Sequence, residues 1–166
     1  MKARRAGRAA LLGLAVLAVA GIAAFLVGPS LGLFSGSRPA VTGFSNGRFA
    51  DGDSRPNWVS STAPRGDAIH HIEPIAFKGD PGRAWSALEA AIAATPRATI
   101  VERAPGYLRA EFASKTLGFI DDAEFALDAA SRVIHAKSAA RLGIRDFAVN
   151  RRRVEAFRAA LEPQRD

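Results

Sequence analysis

The chain has 166 residues, a formal net charge of +7 and no cysteine. Its length suits one domain with an attached segment, and the lack of cysteine excludes disulfides, thiolate metal sites and cysteine nucleophiles. Four basic residues lie within residues 1–8, which leaves 19 basic and 16 acidic residues in the rest of the chain. The basic isoelectric point is therefore partly a property of the N-terminal tail, and we expect no nucleic-acid partner.

Residues 9–27 form an apolar segment without any charged or strongly polar side chain. A helix of about 20 apolar residues spans a bilayer, and the preceding basic residues place the N-terminus in the cytoplasm. The alternative is a signal peptide cleaved near Ala18 and Ala20, but the apolar character continues to Val27. The sequence therefore predicts a single-pass inner-membrane protein with a transmembrane anchor and a periplasmic C-terminal domain in the cell envelope.

Residues 28–68 are rich in Gly, Ser, Pro and Arg and show no apolar periodicity. This composition predicts a flexible linker with little structure of its own. The folded domain is predicted over residues 69–162, and its first strand over residues 71–77. A helix follows, because Asp80 is a good N-cap and Pro81 suits the first helical position.

Four more strands and a second helix complete the predicted domain. The strands cover residues 98–104, 107–114, 119–128 and 132–138. The helix begins near Asp146, and its apolar face recurs at steps of three and four residues. That face consists of Phe147, Asn150, Val154, Phe157 and Leu161. The order β-α-β-β-β-β-α predicts an α+β domain, in which two helices cover an antiparallel sheet of about five strands.

The stretch GFIDDAEF, residues 118–125, places three carboxylates in a predicted strand. Alternate residues of a strand face opposite ways, so Asp121 falls on the apolar face with Phe125, whereas Asp122 and Glu124 share the other face. A carboxylate on an apolar face requires an arginine or backbone donors. Arg141 and Arg145, in the loop before the last helix, are the candidate partners of Asp121.

Short turns on either side of this strand suggest how its acidic face is paired. One turn places Glu124 opposite Arg109, and the next places Glu124 opposite His135 and Asp122 opposite Lys137. The favoured interpretation is a solvated ladder of charge pairs, and the alternative is a catalytic site of Asp122, Glu124 and His135. We expect no metal, because alternation scatters the carboxylate oxygens, and no cofactor, because no phosphate-binding or dinucleotide motif is present.

Two parts of the sequence resemble a known family. The segment DDAEF (121–125), followed by KSAARLGIRDFAVNRRRVEAFR (137–158), is similar to the signature of the family described as domain of unknown function 1499. PNWVSS (56–61) resembles that family's P-N-C-V-S-S, with Trp58 in place of the cysteine. The resemblance covers about residues 56–161 and implies a bacterial or plastid protein, often membrane-anchored or exported. It supplies no activity.

The acidic and basic residues of these motifs imply a shared polar cluster that supports the fold. Its predicted members are Asp121, Arg141, Asp146, Asn150, Arg151 and Arg153. The alternative is that they form a functional site, because structural ion-pair networks and active sites look alike in sequence.

Two functions remain open at this point. A sheet closed by a long C-terminal helix is similar to helix-grip folds, whose cavity lies between sheet and helix. The first hypothesis is a non-catalytic module that binds a hydrophobic ligand, a lipid or a protein partner in a cavity lined by Phe112, Phe125 and Phe157. The second is a hydrolase-like enzyme built on the two carboxylates and the histidine named above, which requires a concave polar pocket. The first is favoured, because no recognisable catalytic spacing is present.

Overall fold

The computed structural model describes residues 2–162. The side chains of residues 2–6, 9 and 10 are not described, and they include most of the predicted basic tail, residues 1–8. The helices are α1 (Lys2–Val27), α2 (Pro81–Ala94) and α3 (Val149–Leu161). The short strands are β1 (Phe44–Ser45), β2 (Arg48–Phe49), β3 (Trp58–Ser60) and β4 (Ile75–Ala76). The long strands are β5 (Ala98–Ala104), β6 (Tyr107–Ala113), β7 (Ile120–Asp128) and β8 (Val133–Ala140).

The main sheet is antiparallel and has the strand order β3-β8-β7-β6-β5, with β4 also paired to β8. The predicted α+β class is confirmed, but the sheet has six strands rather than five. The additional strand is β3, which pairs Val59 with Ser138. It went unpredicted because its three residues lie within a turn-rich segment and are too few to show a periodicity.

The segment predicted to be a flexible linker, residues 28–68, is structured in part. Besides β3 it contains the β1–β2 hairpin, and Phe49 in that hairpin is only 1% exposed. We call residues 37–53 the strap, because they cross one face of the main sheet and bond to it at Glu124 and Lys137. The linker prediction fails here because single anchoring residues can hold a segment that has no apolar period.

Helix α2 forms as its sequence predicts. The Asp80 carboxylate accepts a hydrogen bond of 2.8 Å from the Arg83 N–H, and Pro81 is the first helical residue. This arrangement satisfies one of the N–H groups that a helix start leaves unpaired. Leu88 and Ile92 are fully buried against the sheet.

Helix α3 begins later than predicted. Phe147 and Ala148 adopt left-handed backbone conformations, with φ values of 52° and 62°, so the helix starts at Val149. Phe147 is 84% exposed and does not belong to the buried face, whereas Asn150 and Val154 do. The predicted helical face is therefore wrong at Phe147, because that residue precedes the helix.

The apolar core lies between the main sheet and the two helices α2 and α3. Phe125 is fully buried, and its ring centroid lies 5.6 Å from that of Phe157, which lies 6.0 Å from that of Phe112. These three rings occupy the space in which a ligand cavity was predicted. Close packing of this kind is typical of a protein core, so the three rings predicted to line a ligand cavity are part of the core instead.

Helix α1 covers the apolar segment of residues 9–27. Among the described residues, no helix is long and apolar enough to cross a membrane, so the predicted transmembrane anchor is not found. The large apolar side chains of α1 are exposed, including Leu14, Leu17 and Phe25.

Candidate functional site

The acidic strand β7 lies between β6 and β8, and one of its two registers is as predicted. Arg109 of β6 pairs with Glu124, and Glu111 pairs with Asp122. On the other side Glu124 pairs with Lys137, so the predicted β7–β8 register is wrong by two residues. A two-residue shift preserves the face on which each side chain lies, and the polar residues still share one face.

Asp122 lies at the centre of a buried ion-pair network. Its carboxylate accepts hydrogen bonds from Arg141 Nε at 2.7 Å, Arg141 Nη2 at 2.8 Å and Arg109 Nη1 at 3.1 Å. Arg141 Nη2 also donates to Glu111 at 2.6 Å. The Asp122 side chain is only 4% exposed, so the predicted ladder of charge pairs exists but is buried rather than solvated.

The network shifts the ionisation of its members. The hydrogen bond to Asp122 raises the pKa of Arg141 further above its already basic value, although burial opposes this. Burial alone raises the pKa of Glu111, but the hydrogen bonds from Arg141 and Arg38 outweigh it and hold the pKa below its ordinary value. Arg141 and Glu111 therefore both stay charged at neutral pH.

Glu124 is held beneath the strap by two hydrogen-bond donors and one ion pair. Its carboxylate accepts hydrogen bonds from the Gly43 N–H at 2.6 Å and from the Tyr107 hydroxyl at 2.8 Å. The Lys137 Nζ lies 3.6 Å from the same carboxylate and donates to the Ala50 carbonyl at 2.7 Å. Burial, together with the Glu124 charge, raises the pKa of Tyr107, which keeps its hydroxyl protonated as a donor.

Among the described residues, the contacts of His135 are with groups other than the two carboxylates with which a catalytic role was considered. It pairs with Ala126 across the sheet, its Nδ1 lies 3.2 Å from Ser61 Oγ, and its ring stacks on Phe44 at 5.2 Å. Ser61 Oγ also accepts the Ala136 N–H at 3.0 Å. Burial lowers the pKa of His135. The Ser61–His135 contact links β8 to the segment after β3, and sequence spacing gave no signal for it.

Asp121, on the opposite face of β7, pairs with Arg153 of α3. Arg153 Nη2 donates to its carboxylate at 2.6 Å, so the partner is neither Arg141 nor Arg145. Arg153 Nη1 also donates to Ser138 Oγ and Asn150 Oδ1. Burial raises the pKa of Asp121, although Arg153 opposes the shift.

The predicted polar cluster thus divides among different places. Asp121, Asn150 and Arg153 lie together under α3, whereas Arg141 belongs to the network on the other sheet face. The Asp146 carboxylate accepts the Ala148 and Asn150 N–H groups at the start of α3. Arg151 donates to the backbone carbonyls of Ile69 and His71.

Two clefts lie beside these groups. The first, which we call the groove, has a volume of about 440 Å³ and runs between the end of β6, the end of β8 and the start of α3. Its apolar lining includes Phe112, Phe119, Leu142, Phe147 and Val149, and its polar lining includes Asp121, Arg145, Asp146 and Arg153. Phe34, shortly after α1, contacts Phe119 at its rim with ring centroids 5.9 Å apart.

The second cleft, which we call the polar cavity, has a volume of about 280 Å³ and lies between the strap and the main sheet. The strap contributes Ser37, Ala50, Asp51 and Asp53, and the sheet side contributes Trp58, Asp122, Lys137, Ala139 and Arg141. Within residues 2–162, no three His, Asp or Glu side chains come together as metal ligands.

A family model described as protein of unknown function (DUF1499) matches residues 50–161. The chain belongs to this family. Neither a curated protein nor a solved structure gives a significant match to the chain.

In this DUF1499 domain, the segments that carry the family signature meet at the two clefts. Trp58, Asp122 and Arg141 line the polar cavity, whereas Asp121 and Arg153 line the groove. Sequence reasoning found these charged residues but missed the strap that covers Asp122 and the left-handed turn that exposes Phe147. The positive-φ residues had no signal in the sequence, because neither is a glycine.

Proposed function

We propose that this DUF1499 domain is a non-catalytic binding module whose groove takes a single-chain anionic amphiphile of the fatty-acid type. The observation that carries this proposal is an open apolar groove with an arginine on its wall. Its volume of about 440 Å³ lies within the range of roughly 300–1,000 Å³ that is typical of small-molecule sites. Pockets of this kind combine a mostly apolar lining with a few polar groups that orient the ligand.

The exposure of Phe147 supports the proposal. A phenylalanine that is 84% exposed leaves most of its ring in water, although burial of such a ring is favourable by about 1.5–3 kcal/mol. The positive φ values of Phe147 and Ala148 hold this ring outside α3, and such conformations cost of order 1–3 kcal/mol each. Strained backbone is often found at ligand-binding sites. We therefore expect the Phe147 ring, which this strain keeps at the edge of the groove, to contact the ligand.

The charges along the groove favour an anionic head group. Asp121 is already paired with Arg153, and the Asp146 carboxylate is bonded to the start of α3. Arg145 is exposed and has no ion-pair partner among the described residues. A carboxylate head group at Arg145 would form a charge-assisted hydrogen bond while the chain lies along the apolar wall.

The test is a titration of the full chain with oleate, followed by native mass spectrometry and by displacement of a fluorescent acyl probe. We expect saturable binding that weakens at least about tenfold in Phe147→Ser and in Arg145→Gln. The matched controls are Ile144→Ser, an apolar neighbour that is also largely exposed but does not line the groove, and Arg83→Gln on α2. Equal loss in Ile144→Ser and Phe147→Ser would overturn the proposal, as would unchanged binding in all four variants.

We further propose that α1 attaches the domain to a membrane on the periplasmic side of the cell envelope. The support is the continuous set of exposed apolar side chains on α1, together with the contact of Phe34 with the groove rim at Phe119. A membrane surface would relieve this exposure and would bring the groove near a source of amphiphiles. Protease accessibility in spheroplasts tests the location, and a domain protected from external protease would contradict it.

The hydrolase alternative has little support from contacts among the described residues. Asp122 and Glu124 are each nearly buried, and their oxygens are held by basic, hydroxyl or backbone donors. His135 contacts Ser61 and Phe44. A general base must reach its proton through a hydrogen bond or one water, and the carboxylates of Asp122 and Glu124 are already engaged by donors.

A further inference from the structure

We infer that the polar cavity beneath the strap is a second binding site, for a small monocarboxylate anion. The inference is independent of the proposed function, because the cavity and the groove lie on opposite faces of the main sheet. The volume of about 280 Å³ is slightly below the usual range for drug-sized ligands, so its ligand is small.

Arg141 supplies the first reason. Its side chain is only 5% exposed, and its Nε and Nη2 are bonded to Asp122 and Glu111. Its Nη1 has no hydrogen-bond partner among the described residues. In the described part of the chain, every fully enclosed side-chain nitrogen has a hydrogen-bond partner. Because Nη1 has none, it is not fully enclosed and reaches solvent-accessible space. Arg141 is one of the residues that line the polar cavity.

Lys137 supplies the second reason. Its side chain is 9% exposed, and its ammonium group, which has three N–H donors, makes one hydrogen bond within the described part of the chain, to the Ala50 carbonyl. Glu124 Oε1 is its ion-pair partner at 3.6 Å, beyond hydrogen-bond distance, while Glu124 Oε2 accepts from Gly43 and Tyr107. The ammonium therefore keeps donor capacity, and Lys137 lines the same cavity.

The surroundings select a monoanion. Three carboxylates lie at the cavity, and they belong to Asp51, Asp53 and Asp122. Each is paired with an arginine, but their charges still oppose the entry of a dianion such as phosphate. A carboxylate brings one charge and two acceptor oxygens, which match the open donors of Arg141 and Lys137. The strap residues Asp51 and Gly52 are exposed, so the ligand can enter at the edge of the strap.

The test is a titration of the full chain with acetate and propionate at constant ionic strength, with acetamide and phosphate as comparisons. Trp58 lines the cavity and reports binding by fluorescence in a Trp85→Phe background, because the chain has two tryptophans. We expect saturable changes with the carboxylates at a Kd of order 1 mM and none with acetamide. Calorimetry on the same samples separates binding from non-specific quenching.

Two variants assign the binding to the cavity. Ala139→Leu fills it from the sheet side without removing a charge, and Lys137→Met removes the ammonium group. We expect each to weaken acetate binding at least about tenfold, while Ala76→Leu, at an exposed position in β4, leaves it unchanged. Circular dichroism shows whether each variant is folded. The inference is overturned if no carboxylate saturates the signal, if phosphate binds more tightly than acetate, or if Ala139→Leu binds acetate as the parent does.

Discussion

The two faces of the main sheet are both covered, but by different structures that depend on different forces. One face, with Ala123 and Phe125, is covered by α2 and α3 and packs through apolar side chains. The other face, with Asp122 and Glu124, is covered by the strap and is held by ion pairs and hydrogen bonds. Apolar packing tolerates changes of shape at modest cost, whereas a buried charge is stable only while its partners are present.

This comparison explains why the carboxylates of one strand have different roles. Asp121 lies on the face that the helices cover and has one arginine partner. Asp122 and Glu124 lie on the face that the strap covers and each has several donors. The predictions below test whether the polar face depends on complete pairing and whether the strap is part of the fold.

The largest expected effect is that of Arg141→Ala. The substitution leaves Asp122 and Glu111 buried with fewer partners, and removing one partner of a buried pair typically costs about 3–5 kcal/mol. Chemical denaturation measures the free energy of unfolding. The control is Arg145→Ala, an exposed arginine without an ion pair in residues 2–162, which we expect to change stability by less than about 0.5 kcal/mol. Equal effects of the two substitutions would show that the polar face does not depend on its network.

Phe49→Ala tests the strap and is expected to destabilise the domain by about 3 kcal/mol. Phe49 is 1% exposed, and its ring packs edge-on against Phe44 at 4.9 Å, so truncation leaves a cavity. Denaturation and limited proteolysis of residues 37–53 are the measurements. Val41→Ala, at an exposed position of the strap, is the control. If Phe49→Ala unfolds with the stability of the parent chain, packing of the strap on the sheet does not stabilise the domain.

The sequence predicted the face that the helices cover better than the face that the strap covers, and the reason is periodicity. The spacing of Leu88 and Ile92 in α2, and the Asp80 cap, identify a helix and its buried face. The strap and β3 have no such pattern, because each is held by single residues and backbone bonds. The β7–β8 register was missed because a shift of two residues leaves every side chain on its predicted face.

The candidate site was predicted only in its charged residues. Asp121, Asp122 and Arg153 stand out because charges in an otherwise apolar pattern require partners. Their actual partners depend on tertiary packing, which brings Arg153 of α3 to Asp121 and Arg141 to Asp122. The groove itself depends on two left-handed residues before α3, and an Ala or a Phe gives no signal for that conformation.

Asp121→Ala is expected to destabilise the domain by about 2 kcal/mol or more. The substitution leaves the Arg153 guanidinium, only 12% exposed, without its counter-charge. Thermal and chemical denaturation measure the change. Asp51→Ala is the matched control, because its ion pair with Arg48 is exposed and such pairs contribute roughly 0–1 kcal/mol. An unchanged melting temperature in Asp121→Ala would show that the hydrogen bonds of Arg153 to Ser138 and Asn150 suffice to hold it.

The smallest expected effect concerns pH and His135. Burial lowers the folded-state pKa of His135 below 6.5, so between these two values the unfolded chain binds more protons than the folded chain. Stability contributed by neutral His135 is therefore present above the unfolded pKa of about 6.5 and is lost as pH falls towards the folded pKa. His135→Gln removes this titration, so the unfolding free energy of the variant should depend less steeply on pH below about 6.5. Near pH 8 the unfolding free energies of the parent chain and of His135→Gln should change with pH in parallel. Parallel curves over the whole range would mean that the strap, through Phe44, does not desolvate the imidazole.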